Sequence, residues 1–230
     1  MPANTFGTRE RMMNILRSVA GVVANIEVVG SEHVPDQGAY ILTTSHISRL
    51  DTPLLMLSTS RKDIIAMVAT DYRRSPFGGI LKKLGVIWIN REGYDFEAFR
   101  DASAFLKKGG IVGLAPEGKR SKDGGLMEGK PGAVLLAMKN KVSIIPAAVL
   151  GSADMVKCFL KLKKMQVKII FGQPFDLPQA AEGQNEKEIL ELGVTEMMCQ
   201  IAALLPEERR GYYQNHPRLK VLLAAQQNLK

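Results

Sequence analysis

A series of short apolar runs constrains this chain most: "DIIAMVA", "GVIWIN", "GIVGLAPEG", "VSIIPAAVLG" and "QVKIIFGQP", bounded by Gly, Pro or charged residues. Runs of this length, rich in branched residues and largely without polar alternation, read as strands that are covered on both faces. Helical patterns fall between them. Thr52 to Ser60 is started by Pro53, and further helices are predicted around Phe77 to Leu84, over Phe96 to Lys108 with Gly109-Gly110 as the stop, over Gly132 to Lys139, and over Glu186 to Leu205. Shorter strands are predicted at "NIEVVG" and at Tyr40-Ile41-Leu42. This alternation predicts an α/β fold, a mostly parallel central sheet flanked by helices. At 230 residues one domain can hold all of it, so residues 25–230 are expected to form that domain behind an N-terminal amphipathic helical segment, residues 1–24.

In such folds ligands sit where strands end, and the chemistry-bearing residues fall there. The strand from Tyr40 gives way to small hydroxyl residues and then to His46, with Asp51 one turn further on. Imidazole can take a proton near neutral pH. A carboxylate accepting the other ring N–H would fix the tautomer and stabilise the imidazolium. The competing reading is bland: Asp51 or Thr52 as a helix N-cap, and His46 as a solvated loop histidine. Glu117-Gly118-Lys119-Arg120-Ser121 follows another strand and could cradle an anion, Arg120 forking onto two oxygens and Lys119 adding a point charge. By itself it could equally be an ordinary solvated turn. Glu117 would position groups, by holding the neighbouring cations or an acceptor hydroxyl. Arg91 leaves the strand end of "VIWIN" and could reach the same cleft. His33 and His216 belong to no recognisable constellation. Ser48 lacks the G-x-S-x-G elbow of a serine nucleophile, and nucleotide-binding glycine loops are absent from the sequence.

Taken in order, His46 with Asp51, "GVIWINREG", "LAPEGKRSKDG" and "VSIIPAAVLG" resemble the four blocks of the glycerolipid acyltransferase family, and within it the lysophosphatidate acyltransferases. The resemblance implies that His46 and Asp51 are catalytic and that Arg91 binds the acceptor's phosphate. It assigns the third block, Pro116 to Ser121, to acceptor binding through Glu117, Gly118, Lys119, Arg120 and Ser121, and places Pro146 in the fourth. Two residues depart from the family pattern: Ala115 replaces an aromatic, and Lys119 replaces a threonine and adds a charge where the acceptor would sit. The implied reaction moves a fatty acyl group from acyl-CoA or acyl carrier protein to the free hydroxyl of 1-acylglycerol-3-phosphate or another lyso-lipid. No metal and no bound organic cofactor is implied.

A net charge of +8 and a pI near 9.5 imply an anionic partner: nucleic acid, phosphorylated substrate or acidic headgroups. A basic nucleic-acid-binding protein is the alternative from a different class. Aromatics are only 6% and no recognition motif is present, so nucleic acid is not expected. Cys158 and Cys199 lack metal-ligand spacing and a neighbouring His, and read as reduced thiols. The longest uncharged runs are 12 residues, short of the roughly 20 needed to span a bilayer, and the N-terminus does not read as a signal peptide. The protein is therefore expected in the cytoplasm, peripheral on the inner face of the cell membrane. Two features fit an anionic membrane surface. In residues 8–24 the spacing predicts a helix with Met12, Ile15, Leu16, Val19, Val22 and Val23 on one face, either packed on the protein's own core or lying in the headgroup region. Basic pairs also recur at Arg61-Lys62, Arg73-Arg74, Lys82-Lys83 and Lys107-Lys108, with a further lysine cluster from Lys157 to Lys168, though any one pair could be a solvated face.

Overall fold

The computed structural model describes residues 4–154, 158, 160–161, 163–178 and 185–227. Helix α1 (Asn4–Val23) leads into β1 (Ala24–Val29), and then β2 (Tyr40–Thr44), α2 (Asp51–Leu57), β3 (Ile64–Ala69), α3 (Gly78–Leu84) and β4 (Ile87–Ile89) follow. The second half contains α4 (Phe96–Leu106), β5 (Ile111–Leu114), α5 (Gly132–Asn140), β6 (Ile144–Leu150), β7 (Met165–Phe171), α6 (Glu186–Ala203) and α7 (Pro217–Gln227). The seven strands form one sheet in the order β1-β7-β6-β2-β5-β3-β4. Strands β6, β2, β5, β3 and β4 run parallel, and the parallel pair β1 and β7 joins them through an antiparallel β6–β7 ladder. The expected mostly parallel α/β fold is what forms.

Register explains the apolar runs. Ile144, Ile41, Val112 and Ile65 lie side by side across β6, β2, β5 and β3, and this row faces the helices α4, α5, α6 and α7. One residue further along, Leu42 and Ile145 face α1, α2 and α3. Both faces are covered, so successive residues are all apolar; each such side chain removed from water contributes about 1.5–3 kcal/mol. The helices stop and start on local signals. The Asp95 carboxylate accepts the Ala98 N–H at 3.0 Å to open α4, and Asn185 and Glu188 bond reciprocally at 2.8 and 2.9 Å to open α6.

Two expectations need correction. The predicted apolar face of α1 is split. Met13 and Ala20 are buried with Met12 and Leu16 beside them, while Ile15, Val19, Val22 and Val23 are exposed. Arg9 and Arg17 decide which side goes in: Arg9 donates to the carbonyls of Leu84, Lys62 and Ile64, and Arg17 to those of Leu57 and Thr59. Arg61 is not part of a basic surface either. It is only 4% exposed and binds the carbonyls of Pro35, Gly38 and Gly109 at 2.8–2.9 Å, together with Asp63. The C-terminal segment closes over the core: Leu219 and Tyr213 are buried and Arg218 pairs with Glu196 at 2.5 Å.

Candidate active site

Strand β2 ends at Thr44, and the chain passes through Ser45 and His46 into a turn that α2 ends by opening at Asp51. The helix is not capped by Asp51. Its N-cap position is Leu50, which makes no side-chain capping bond, so the capping reading of Asp51 fails. The carboxylate instead folds back over the preceding turn. Its Oδ2 accepts the N–H groups of Ile47 and Ser48, both at 2.7 Å, and stands 3.3 Å from Nδ1 of His46. Oδ1 accepts the hydroxyl of Ser152. At 1% exposure the carboxylate would be costly to bury unpaired, and these donors stabilise its charge, with no Lys or Arg among the described residues in an ion pair with it. The contact assigns the proton on the ring to Nδ1 and leaves Nε2, which makes no hydrogen bond among the described residues, as the basic atom.

The backbone of His46 is held on both sides by the third block. Its N–H donates to Oε1 of Glu117 at 2.6 Å, and its carbonyl accepts the Ser121 N–H at 2.8 Å. The other oxygen of Glu117 accepts the Met127 N–H at 2.8 Å. Glu117 therefore positions residues, as expected, but its partners are backbone amides rather than Lys119, Arg120, Lys122 or Lys130. At 2% exposure, burial pushes its carboxyl up to about 7, against the pull of the two N–H donors. Ser121 is also buried. Its hydroxyl donates to Asp123 at 2.7 Å, so it shapes the turn.

Gly118 takes φ 70° at the crest of this turn, where a Cβ would come within 3.1 Å of the Lys130 side chain. Its carbonyl accepts from Arg91 at 3.1 Å, and the other arm of that guanidinium meets Asp71 at 2.5 Å. The sheet thus brings Arg91, from the end of β4, to the third block. Lys119 and Arg120 are exposed beside it, in no ion pair among the described residues. Pro146 is buried in β6 beside Thr43. No group of three or more His, Cys, Asp and Glu among the described residues is placed to hold a metal ion.

Two site residues had no signal in the sequence. Asp71 is one of many exposed carboxylates, and Ser152 lies 101 residues from the Asp51 it touches. The structure also places His216 against Cys199, Nδ1 3.6 Å from Sγ, contrary to the reading of that thiol as lacking a His neighbour. Burial pushes the thiol up to about 11, and the Arg218 N–H donates to the same ring nitrogen at 3.1 Å. The pair is packing, not a nucleophile.

This fold and site define a class. A family model described as Acyltransferase matches residues 25–150, and the chain belongs to that family. It is 31% identical over 131 residues to a 1-acyl-sn-glycerol-3-phosphate acyltransferase of Borreliella burgdorferi, covering 56% of this chain and 51% of the relative. The chain thus spans about half the length of that relative. It is 26% identical to the enzyme of the same description from Bacillus subtilis over 162 residues, 70% of this chain and 79% of the relative. The crystal structure of the 1-acyl-sn-glycerophosphate acyltransferase of Thermotoga maritima shares the fold, with a TM-score of 0.59 at 21% identity over 82% of this chain and 79% of that one.

Proposed function

We propose that this protein transfers a fatty acyl group from a thioester, acyl-CoA or acyl carrier protein, to the free hydroxyl of 1-acylglycerol-3-phosphate, forming phosphatidic acid. The observation that carries the reading is a histidine held by a buried carboxylate at the carboxyl edge of the sheet, with Nε2 unengaged. Nε2 takes the proton of the acceptor hydroxyl as its oxygen attacks the thioester carbonyl. The thiolate then leaves and recovers that proton from the imidazolium, giving ester and thiol with no acyl-enzyme. Asp51 holds the ring and stabilises its cationic form. Arg91, Lys119 and Arg120 bind the acceptor's phosphate, which replaces Asp71 as the partner of Arg91. The similarity to 1-acyl-sn-glycerol-3-phosphate acyltransferases supports this acceptor.

The acceptor lives in a bilayer. No helix among the described residues is long and apolar enough to cross one. The protein works peripherally at an anionic surface, a reading supported by its net charge of +8 and by the exposed ridge Ile15, Val19, Val22 and Val23 of α1, which lies against lipid. An acyl-transfer assay with lysophosphatidate and labelled donor tests the reading. Phosphatidic acid should form, and folded His46→Ala should turn over about 10²–10⁴-fold more slowly. Wild-type turnover in that variant would remove His46 from the chemistry.

A further inference from the structure

We infer that Ser152 is a positioning residue for the His46–Asp51 pair, its hydroxyl fixing the carboxylate orientation that keeps Oδ2 against the imidazole. The inference rests on the reading of His46 as the general base. A carboxylate turns readily about its terminal torsion, because that torsion has broad minima. Three donors, the amides of Ile47 and Ser48 and the ring Nδ1, gather on Oδ2 alone. They hold Oδ2, and Oδ1 has the Ser152 hydroxyl as its one donor among the described residues, so without that hydroxyl Oδ1 is left bare and the carboxylate can turn to share the three donors between its two oxygens. The Ser152 hydroxyl on Oδ1 supplies the second anchor, and it does so at 2% exposure, away from bulk water.

The backbone is built to deliver this hydroxyl. Strand β6 lies beside β2 on the side away from β5, so the chain leaving β6 emerges next to the catalytic turn. Gly151 makes the exit with φ 82°, and a Cβ there would lie 1.9 Å from the carbonyl oxygen of Gln166. Only glycine permits so close a passage, and the next residue is Ser152. His46 is therefore supported from both neighbouring strands, through Glu117 after β5 and, by way of Asp51, through Ser152 after β6.

A hydroxyl that merely satisfies a buried carboxylate would affect stability alone; one that orients the base affects the chemistry. Ser152→Ala, Ser152→Cys and Ser152→Thr are compared by kcat, both KM values, the pH dependence of kcat/KM, the low-field Nδ1–H proton resonance of His46, and thermal unfolding. Ser152→Ala should lower kcat roughly 10-fold with both KM values near wild type, since the contact acts on the base rather than on either substrate. Its acid limb should move to higher pH, because a carboxylate stripped of one donor holds the imidazolium proton more tightly, and its Nδ1–H resonance should shift. Ser152→Cys, a weak donor of similar size, should fall between, and Ser152→Thr should recover most of kcat. Folded Ser152→Ala with wild-type kcat, pH profile and resonance would overturn the inference, whatever its melting temperature; if Ser152→Ala does not fold, wild-type kcat and resonance in Ser152→Cys would do the same. His46→Ala run alongside separates the two ideas. Activity retained there defeats the proposed function, while activity lost there with a wild-type Ser152 series defeats only the role of Ser152.

Discussion

Glu117 shows how a single buried carboxylate can be both a brace and a liability. Ionised, it suits the His46 and Met127 amides; neutral, it suits its surroundings, and burial carries its pKa to about 7. The folded value lies above the ordinary 4.5, so the stability gained from the neutral form is full below pH 4.5 and is lost as pH rises through 7. The loss is at most on the order of 3 kcal/mol. Glu117→Gln keeps the shape but points an amide N–H₂ at one of the two donors, so it should be less stable and less active. Its deficit in Tm against wild type should shrink by several degrees between pH 5 and pH 8. A constant deficit would show that the two amides hold the carboxylate ionised throughout. The positioning role of Glu117 was readable from its place after an apolar strand, but its burial was not, since the charged run reads as facing outward at a turn. Its partners were not, since Met127 reaches it only through the return of the loop.

Helix α1 is the element whose sequence pattern misled. Apolar residues lie nearly all round it, so periodicity alone offers more than one face. The neighbours choose: α2, α3 and β1 take Met13 and Ala20, while Arg9 and Arg17 reach carbonyls left open at the ends of α2, α3 and β3. A ridge of Ile15, Val19 and Val22 is left facing out. The pair Leu16 and Val19, which the sequence places together, therefore does two different jobs. Val19→Asp with Val22→Asp should leave the fold intact and release the protein from anionic vesicles in a sedimentation assay, whereas Met13→Asp should destabilise by several kcal/mol. Undiminished vesicle binding by the folded double variant would mean that the ridge does not meet lipid.

At the scale of the molecule, sheet order assembles the site. β2 lies between β5 and β6, so the His46 turn meets Glu117 on one side and Ser152 on the other, and Arg91 reaches back from β4 to the Gly118 carbonyl. The tail adds support from far along the chain. The Leu126 N–H donates to the Arg209 carbonyl, Tyr212 donates to the Leu126 carbonyl, and the Tyr213 hydroxyl accepts from Gly129, so the loop carrying the Met127 amide is held on both flanks. Arg91→Ala and Arg120→Ala should each raise the acceptor KM roughly 10- to 100-fold, the worth of a charged hydrogen bond, with donor KM little changed. If only the donor KM rises, these arginines bind the thioester carrier and not the acceptor's phosphate.

The sequence by itself determined the strands, the alternation that makes the sheet mostly parallel, and the His46–Asp51 pair, because all three are local: burial on both faces writes itself as an unbroken apolar run, and five residues of spacing suffice to bring an imidazole to a carboxylate. Tertiary structure alone decided which face of α1 turns inward, that Arg61 is buried, that the tail packs, and that Ser152 touches Asp51. Each depends on which strands are neighbours and which carbonyls remain open, and a hydroxyl 101 residues away carries no mark of that until the sheet has formed.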